Sequence, residues 1–374
     1  MSKSPLEHFS SLEDYRDSRY IRHSLLNIVA ISICAIICGA RDWYDVEDVA
    51  RSRIPWFKSF LDMGDEVPSH DTVNRFFSFV SADSLEKCFA NWIAAIANIT
   101  EGRLIHIDGK TLRGSKRTDD KYFIHMVSAW CSTNGLVLGQ QKVNEKSNEI
   151  TAIPALLELL IVKGCVITID AIGCQQDIAA AIIEKQADYI LAVKDNQEFL
   201  HDDIQEAFSN EKKVASTHKS SNVDHGRIET RQTSIITDTD WICKAGNWKS
   251  LFCIIKVFAI RTDKRTGKKE ESIRYYIGSK KADAKWYHNA IRCHWSIENQ
   301  LHWVLDVCFN EDASKKLNEN SAQNFSLLNK IVLNMLRHYE VPWYKSAQKM
   351  SMKRKRHIAG WNHDILIDRL FKIK

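Results

Sequence analysis

A chain of 374 residues, 44% hydrophobic and 26% charged, has room for two or three domains and a sizeable buried core. That balance excludes a disordered or low-complexity protein, and a net charge of +5 permits a nucleic-acid partner without requiring one. The 10 cysteines include no CxxC pair and read as small buried hydrophobes in a reducing cytoplasm, not as a disulfide frame or zinc knuckle.

Residues 1–100 read as a helical domain, with DNA-end binding as one role for it. The apolar run Ser24–Ala40 falls short of the roughly 20 apolar residues of a membrane span and carries Ser24, Asn27 and Ser32, so a buried helix is expected. The next pattern, DVEDVARSRIPWFKSFL, breaks at Pro55; VPSHDTVNRFFSFV starts a helix after Pro68 with Ser69 as N-cap. Thr72, Asn74 and Arg75 near that start suit a DNA-reading face, and equally the polar side of an ordinary helical domain.

From residue 103 the period changes. LIHIDG, HMVSAWC and LVLGQQKV read as three strands; ITAIPALLELLI, CVITIDA, QQDIAAAIIEKQ and DYILAVK then read as helix, strand, helix, strand. This is the order of an α/β ribonuclease-H-like core, the late part having parallel strands with helical crossovers. Residues 101–374 are therefore expected to form one domain. It carries a β-rich insertion at about 196–285, helices over 286–338 and a basic C-terminal tail at 345–374.

Asp108 and Asp170 each end an apolar run, LIHID and CVITID. A carboxylate there has lost part of its hydration and calls for a cation, a donor or a proton, although a turn or cap role needs no such chemistry. In AIRCHWSIENQLHWVLDVCF, Glu298 and His294 interrupt an apolar stripe of Ile291, Leu301, Leu305 and Cys308. A buried carboxylate in that stripe needs a partner: a metal ion, or a bridge to Arg292 or Lys330. Three converging carboxylates suit Mg²⁺ or Mn²⁺ and in-line phosphoryl transfer. His294, Glu298 and His302 at i, i+4 and i+8 raise a helical zinc site, but HExxH is absent and the span of two turns is too long for one ion.

At this point the chain resembles the H-repeat-associated proteins, the ISAs-type insertion-sequence transposases of the DDE class. The resemblance is carried by VPSHDTVNRFFS, HIDGKTLRGS, GQQKVNEKSNEITAIPALL, VITIDAIGCQQDIA, DYILAVKDNQ, HGRIETR and IRCHWSIENQLHWVLDVCFNED, in family order over nearly the whole chain. It implies a ribonuclease-H-like core, catalytic and metal-binding roles for Asp108, Asp170 and Glu298, Mg²⁺ or Mn²⁺ as cofactor, and element ends and target DNA as partners. It further implies a homodimer or higher multimer on DNA, acting in the bacterial cytoplasm and at the nucleoid, with no membrane and no small-molecule cofactor. Some DDE relatives place a lysine seven residues after the glutamate, and a tyrosine and an arginine before it; these positions hold Leu305, Ile291 and His294 here.

Phosphate contacts must then come from elsewhere. The candidates are Lys110, Arg113, Lys194, Asn196, Arg227, Arg231, Arg292 and His294, together with Lys353, Arg354, Lys355 and Arg356 of the basic tail. The charged ones read also as solvated surface groups, with Lys194 and Asn196 favoured by their place at the end of a strand on the presumed active-site edge. His225 beside Arg227, and Lys345 and Lys349 in the tail, extend these groups, while Trp295, Trp303, Trp343 and Trp361 could stack on bases but are expected in the core. The reading is a DNA transposase; an inactive or domesticated DNA-binding remnant and a metal-dependent DNA nuclease are the alternatives.

Overall fold

The computed structural model describes residues 5–97, 102–115, 123–143, 148–209, 213–224, 226–242, 245–314, 319–337 and 350–366. His225, Trp343, Lys345 and Lys349 lie outside them.

Six helices come first: α1 (Pro5–Phe9), α2 (Leu25–Cys38), α3 (Trp43–Ser52), α4 (Ile54–Lys58), α5 (His70–Phe79) and α6 (Ala82–Ile96). Ser24 caps α2 by accepting from the Asn27 N–H, and Gly39 closes it at φ 118°, a left-handed position that glycine occupies without strain. Pro55 sits in the first turn of α4, where its missing N–H costs nothing, so the chain breaks at Arg53. Ser69 caps α5 as expected. Helix α2 is buried nearly all round, which accounts for its uniformly apolar sequence, and among the described residues no single helix is long and apolar enough to cross a membrane.

The α/β core follows: β1 (Leu104–Leu112), β2 (Ile124–Cys131), β3 (Leu136–Lys142), α7 (Glu149–Leu159), β4 (Val166–Ile169), α8 (Gln176–Glu184) and β5 (Asp188–Val193). After α9 (Glu198–Ala207) come β6 (Ser216–Asp224), β7 (Arg227–Ile236), β8 (Cys253–Asp263) and β9 (Lys269–Gly278). The chain then forms α10 (Ala284–His294), a π-helical turn (Glu298–His302), α11 (Trp303–Phe309), α12 (Glu319–Arg337) and α13 (Met352–Trp361).

The strand order is β3-β2-β1-β4-β5-β9-β8-β7-β6. Strands β1, β4 and β5 run parallel, β2 and β3 antiparallel, which is the ribonuclease-H-like arrangement. The insertion continues this sheet: β9 pairs with β5 through Ile190↔Gly278 to Val193↔Tyr275, and β8, β7 and β6 add as an antiparallel meander. Edge strand β6 (STHKSSNVD) has no apolar alternation, so its strand character comes from pairing with β7.

On one face, Ile105, Ile107, Ile167 and Ile169 join Ile153 and Leu156 of α7 and Ile178 and Ile182 of α8 in the main core. On the other, Val166, Ile190 and Ile255 pack against Ala284, Tyr287, Ala290 and Ile291 of α10. The N-terminal helices share the main core rather than building one of their own. Helix α12 ties them in: Asn324 donates to the Phe77 and Val80 carbonyls at 2.8 and 3.0 Å, and Ser321 donates to Asn74 at 3.0 Å. Asn74 is thus engaged by α12 within the chain.

Candidate active site

The last parallel pair of β1 and β4 is Ile107↔Ile169. Asp108 and Asp170 are the next residues on these adjacent strands, so both stand where the sheet opens between them. Asp170 follows the end of β4 as expected. Asp108 does not end its strand: β1 runs on to Leu112 because its other edge stays paired with β2, Asp108 opposite Ser128. The aspartate is held from one side and open on the other.

Side-chain alternation puts His106 on the same face of β1 as Asp108, and Thr168 on the same face of β4 as Asp170. Thr168 Oγ1 lies 2.6 Å from His106 Nδ1 and 2.7 Å from His294 Nδ1. One hydroxyl donates a single hydrogen bond, so it donates to one ring and accepts from the other. Burial and the neighbouring His294 hold His106 down at a pKa of about 3; burial likewise lowers that of His294. Both rings are neutral, and they anchor α10 to the sheet.

Beyond His294 the helix widens. The Trp303 N–H bonds to the Glu298 carbonyl five residues back, closing a π turn from Glu298 to His302. Single π turns mark functional sites often. The extra residue per turn shifts the apolar stripe: Ile297 is buried and Glu298 is exposed, so the expectation of a buried Glu298 is corrected. Glu298 has no need of the suggested bridge to Lys330, whose ammonium bonds to Gln140 and Ser326. One donor atom each from Asp108, Glu298 and His302 lie within 4.8 Å of one another. His302 is buried on the same turn, whereas His294 is held by Thr168, so the i, i+4, i+8 trio does not form a site.

Asp170 borders this group. Its carboxyl is pushed above the ordinary value by burial first, then by the charges of Glu149 and Asp108. Oδ1 also accepts from the Ile172 N–H at 3.2 Å, so the turn-former role holds alongside any other. Asn196 donates to the Ala171 carbonyl at 2.7 Å, fixing this turn from the end of β5. Sequence reasoning did not single out Glu149. It opens α7 beneath its cap Asn148, and its Oε1 is 2.6 Å from His125 Nε2. A Cβ on Gly109 would lie 2.1 Å from that oxygen, so glycine is what lets Glu149 approach the residue after Asp108. Its only signal in the sequence is its place in the run GQQKVNEKSNEITAIPALL.

An Asp170 carboxyl pushed up by burial and by the neighbouring Glu149 and Asp108, near a shielded imidazole without a hydrogen-bond partner, fits a divalent cation. Asp108, Asp170 and Glu298 offer carboxylate oxygens of the type that Mg²⁺ and Mn²⁺ accept.

The expected phosphate contacts divide. Lys110 is committed to Asp306, to Glu311 at 3.1 Å and to Asp312 at 3.7 Å, with its side chain 12% exposed. Arg113 is exposed, 3.6 Å from Asp312. Arg231 pairs with Glu229 at 3.0 Å, and Arg261 holds that carboxylate at 2.7 Å. Lys194, Arg227 and Arg292 are exposed. In the tail, Lys353 and Arg354 are exposed, but Lys355 and Arg356 are buried. Lys355 donates to the Arg337 carbonyl at 3.1 Å; Arg356 donates to the Ile36 carbonyl at 2.9 Å through Nε and also bonds to the Ala40 and Cys308 carbonyls. These two are corrected: the buried side of α13 carries both of them, and they donate to carbonyls at the ends of other helices. Trp295, Trp303 and Trp361 are also corrected, being 46%, 58% and 77% exposed rather than core. The first two flank Glu298.

This fold is that of a transposase DDE domain, and the chain belongs to the transposase DDE domain family, which matches residues 100–335. Residues 6–93 match the DDE_Tnp_1-associated family. The chain is 44% identical to "Putative transposase YncI" of Escherichia coli O157:H7, over 90% of this chain and 87% of the relative. It is 38% identical to "H repeat-associated putative transposase YhhI" of Escherichia coli K12, over 94% of each. "Inactive transposase YbfQ" of the same strain is 37% identical over 20% of this chain and 90% of its own length. A solved piggyBac transposase synaptic complex with hairpin DNA aligns over 97% of this chain and 77% of that one, at TM-score 0.45 and 11% identity.

Proposed function

We propose that this chain cleaves the ends of an insertion sequence and joins them to target DNA, using Asp108, Asp170 and Glu298 as ligands for Mg²⁺ or Mn²⁺. The observation that carries this reading is the group of donor atoms from Asp108, Glu298 and His302 within 4.8 Å of one another, with Asp170 just past the Ile107↔Ile169 pair on the neighbouring strand. Divalent ions, when bound, supply charge neutralisation and activation of the attacking oxygen.

The chain's own groups supply position. The His106–Thr168–His294 bridge and the Asn196 bond fix the strands and helix that carry the acids. In cleavage, a water oxygen bonds to phosphorus as the 3′-oxygen leaves; in joining, the freed 3′-hydroxyl attacks a target phosphate and displaces that strand's 3′-oxygen. The same ligands serve both steps because only the nucleophile changes.

Exposed Arg292, Lys194, Arg227, Lys353 and Arg354 are the phosphate contacts in this reading, and Trp295 and Trp303 offer faces on which bases stack. The N-terminal helices contribute to end binding, a multimer bridges the two ends, and the protein works in the cytoplasm on nucleoid DNA. Purified protein incubated with labelled element ends and Mg²⁺ should yield strand-transfer products. Asp108→Asn, Asp170→Asn and Glu298→Gln should each abolish them. Cleaved but unjoined ends would identify a nuclease; DNA binding without cleavage would identify an inactive remnant.

A further inference from the structure

Most buried imidazoles in this chain have a bonded ring nitrogen. His106 and His294 share Thr168, and His288 is within hydrogen-bond reach of Ser220 and Thr233. His302 differs. Its side chain is 4% exposed, and both Nδ1 and Nε2 are shielded from solvent without a hydrogen-bond partner. Nε2 nevertheless faces Asp108 Oδ2 at 3.5 Å, and a ring nitrogen of His302 belongs to the group of donor atoms within 4.8 Å that includes Glu298. The π turn begins at Glu298 and ends at His302, so one wide turn presents both donors. A shielded nitrogen without a hydrogen-bond partner, on a ring grouped with two carboxylates, is placed as a metal donor would be.

We propose that His302 Nε2 is a nitrogen donor to the divalent cation gripped by Asp108 and Glu298, giving that ion a mixed oxygen and nitrogen shell. This inference rests on the metal-binding reading above. His302 has no carbonyl or carboxylate partner on Nδ1, so its ring is held by burial and by the turn's backbone. An imidazole donor shifts preference toward Mn²⁺ and away from Mg²⁺, which favours oxygen ligands and retained water. His302 therefore acts on which ion the site keeps, and Leu305, three residues on, brings no charge of its own.

The test uses the full chain with Mn²⁺ alone and reads electron spin-echo envelope modulation, which reports nitrogen bonded to the ion. Wild type should show ¹⁴N coupling that changes to the ¹⁵N pattern when histidine is ¹⁵N-labelled. His302→Gln should lose that coupling and weaken Mn²⁺ binding at least about tenfold, since even outer-shell losses cost ten- to a hundredfold. His294→Gln should keep it. His302→Asp, which offers oxygen again, should regain much of the affinity without nitrogen coupling and move preference toward Mg²⁺. Mn²⁺ bound to wild type without nitrogen coupling, or coupling that survives in His302→Gln, would overturn the proposal while leaving the metal site standing. Wild type that binds no Mn²⁺ at millimolar concentration would overturn the metal reading itself, and this inference with it.

Discussion

Thr168 Oγ1 lies 2.7 Å from His294 Nδ1, joining the strand that leads into Asp170 to the helix that leads into Glu298. Thr168 is 3% exposed, and the same hydroxyl serves His106. Thr168→Val keeps the shape and removes the hydroxyl, leaving two ring nitrogens unpaired. A buried unpaired polar group costs about 1–3 kcal/mol. Urea unfolding should show a loss of that size, and end cleavage should fall further than stability does, because α10 is freed from the strand that positions Asp170.

Gly109 is the second lever. Any larger residue meets the Glu149 carboxylate and His125, which are bonded to each other at 2.6 Å. Gly109→Ala should destabilise by about 1–3 kcal/mol, as overpacking does. In a Glu149→Ala background the cost should shrink, giving a non-additive double-mutant cycle. Equal costs in both backgrounds would locate the clash elsewhere.

Asp170 carries a charge that its surroundings disfavour, through burial and the nearby Glu149 and Asp108. Asp170→Asn should therefore leave metal-free protein as stable as wild type or slightly more so, while end cleavage disappears. Mg²⁺ should stabilise wild type by about 2.7 kcal/mol at a hundred times its Kd and leave the variant nearly unmoved. Thermal melts with and without Mg²⁺ read both effects.

The tail separates structure from DNA binding. Arg356→Ala strips bonds from the Ile36, Ala40 and Cys308 carbonyls and should cost about 3 kcal/mol in urea, at the upper end for bonds to a charged group. Lys353→Ala with Arg354→Ala should leave stability near wild type. If both touch phosphate, the double variant should flatten the plot of log affinity against log salt by about 1.8, that is, 0.9 per contact.

His106 gives the pH dependence its sign. Its folded pKa, about 3, lies below the ordinary histidine value because burial opposes the charge. The stability it contributes is whole above about pH 6.5 and is lost as pH falls toward 3, since the unfolded chain binds the proton first. Between pH 6 and 4, wild type should lose up to about 1.4 kcal/mol per unit more than His106→Gln, measured by denaturant midpoints at each pH. His294 acts in the same direction.

Much of this was legible in the residues. Apolar period and caps located α2, α5, β1, β4 and β5, because these elements obey one dominant face and clear breakers. The two aspartates were visible as acids on apolar runs. Strand β6 was not, since its polar sequence takes form from pairing with β7; α9 was not either, because only Leu200, Ile204 and Ala207 mark its buried face in an otherwise polar stretch. The surroundings of the acids were hidden for a related reason. Glu149, His125 and His302 are distant in sequence from Asp108 or Asp170, and only the sheet register and the π turn bring them near.

What the chain of residues determined alone was the kind of elements, their order, and which acids were candidates, because hydration and periodicity act locally. The tertiary structure decided which charges face outward. Lys110, Lys355 and Arg356 look like any surface cations in a string of letters, yet they close helices and bind carboxylates. Three indoles expected inside stand exposed, and Glu298 stands at the surface because one widened turn rotates the helix beneath it. A phase change of that kind depends on which backbone hydrogen bond closes, and packing against the sheet makes that choice.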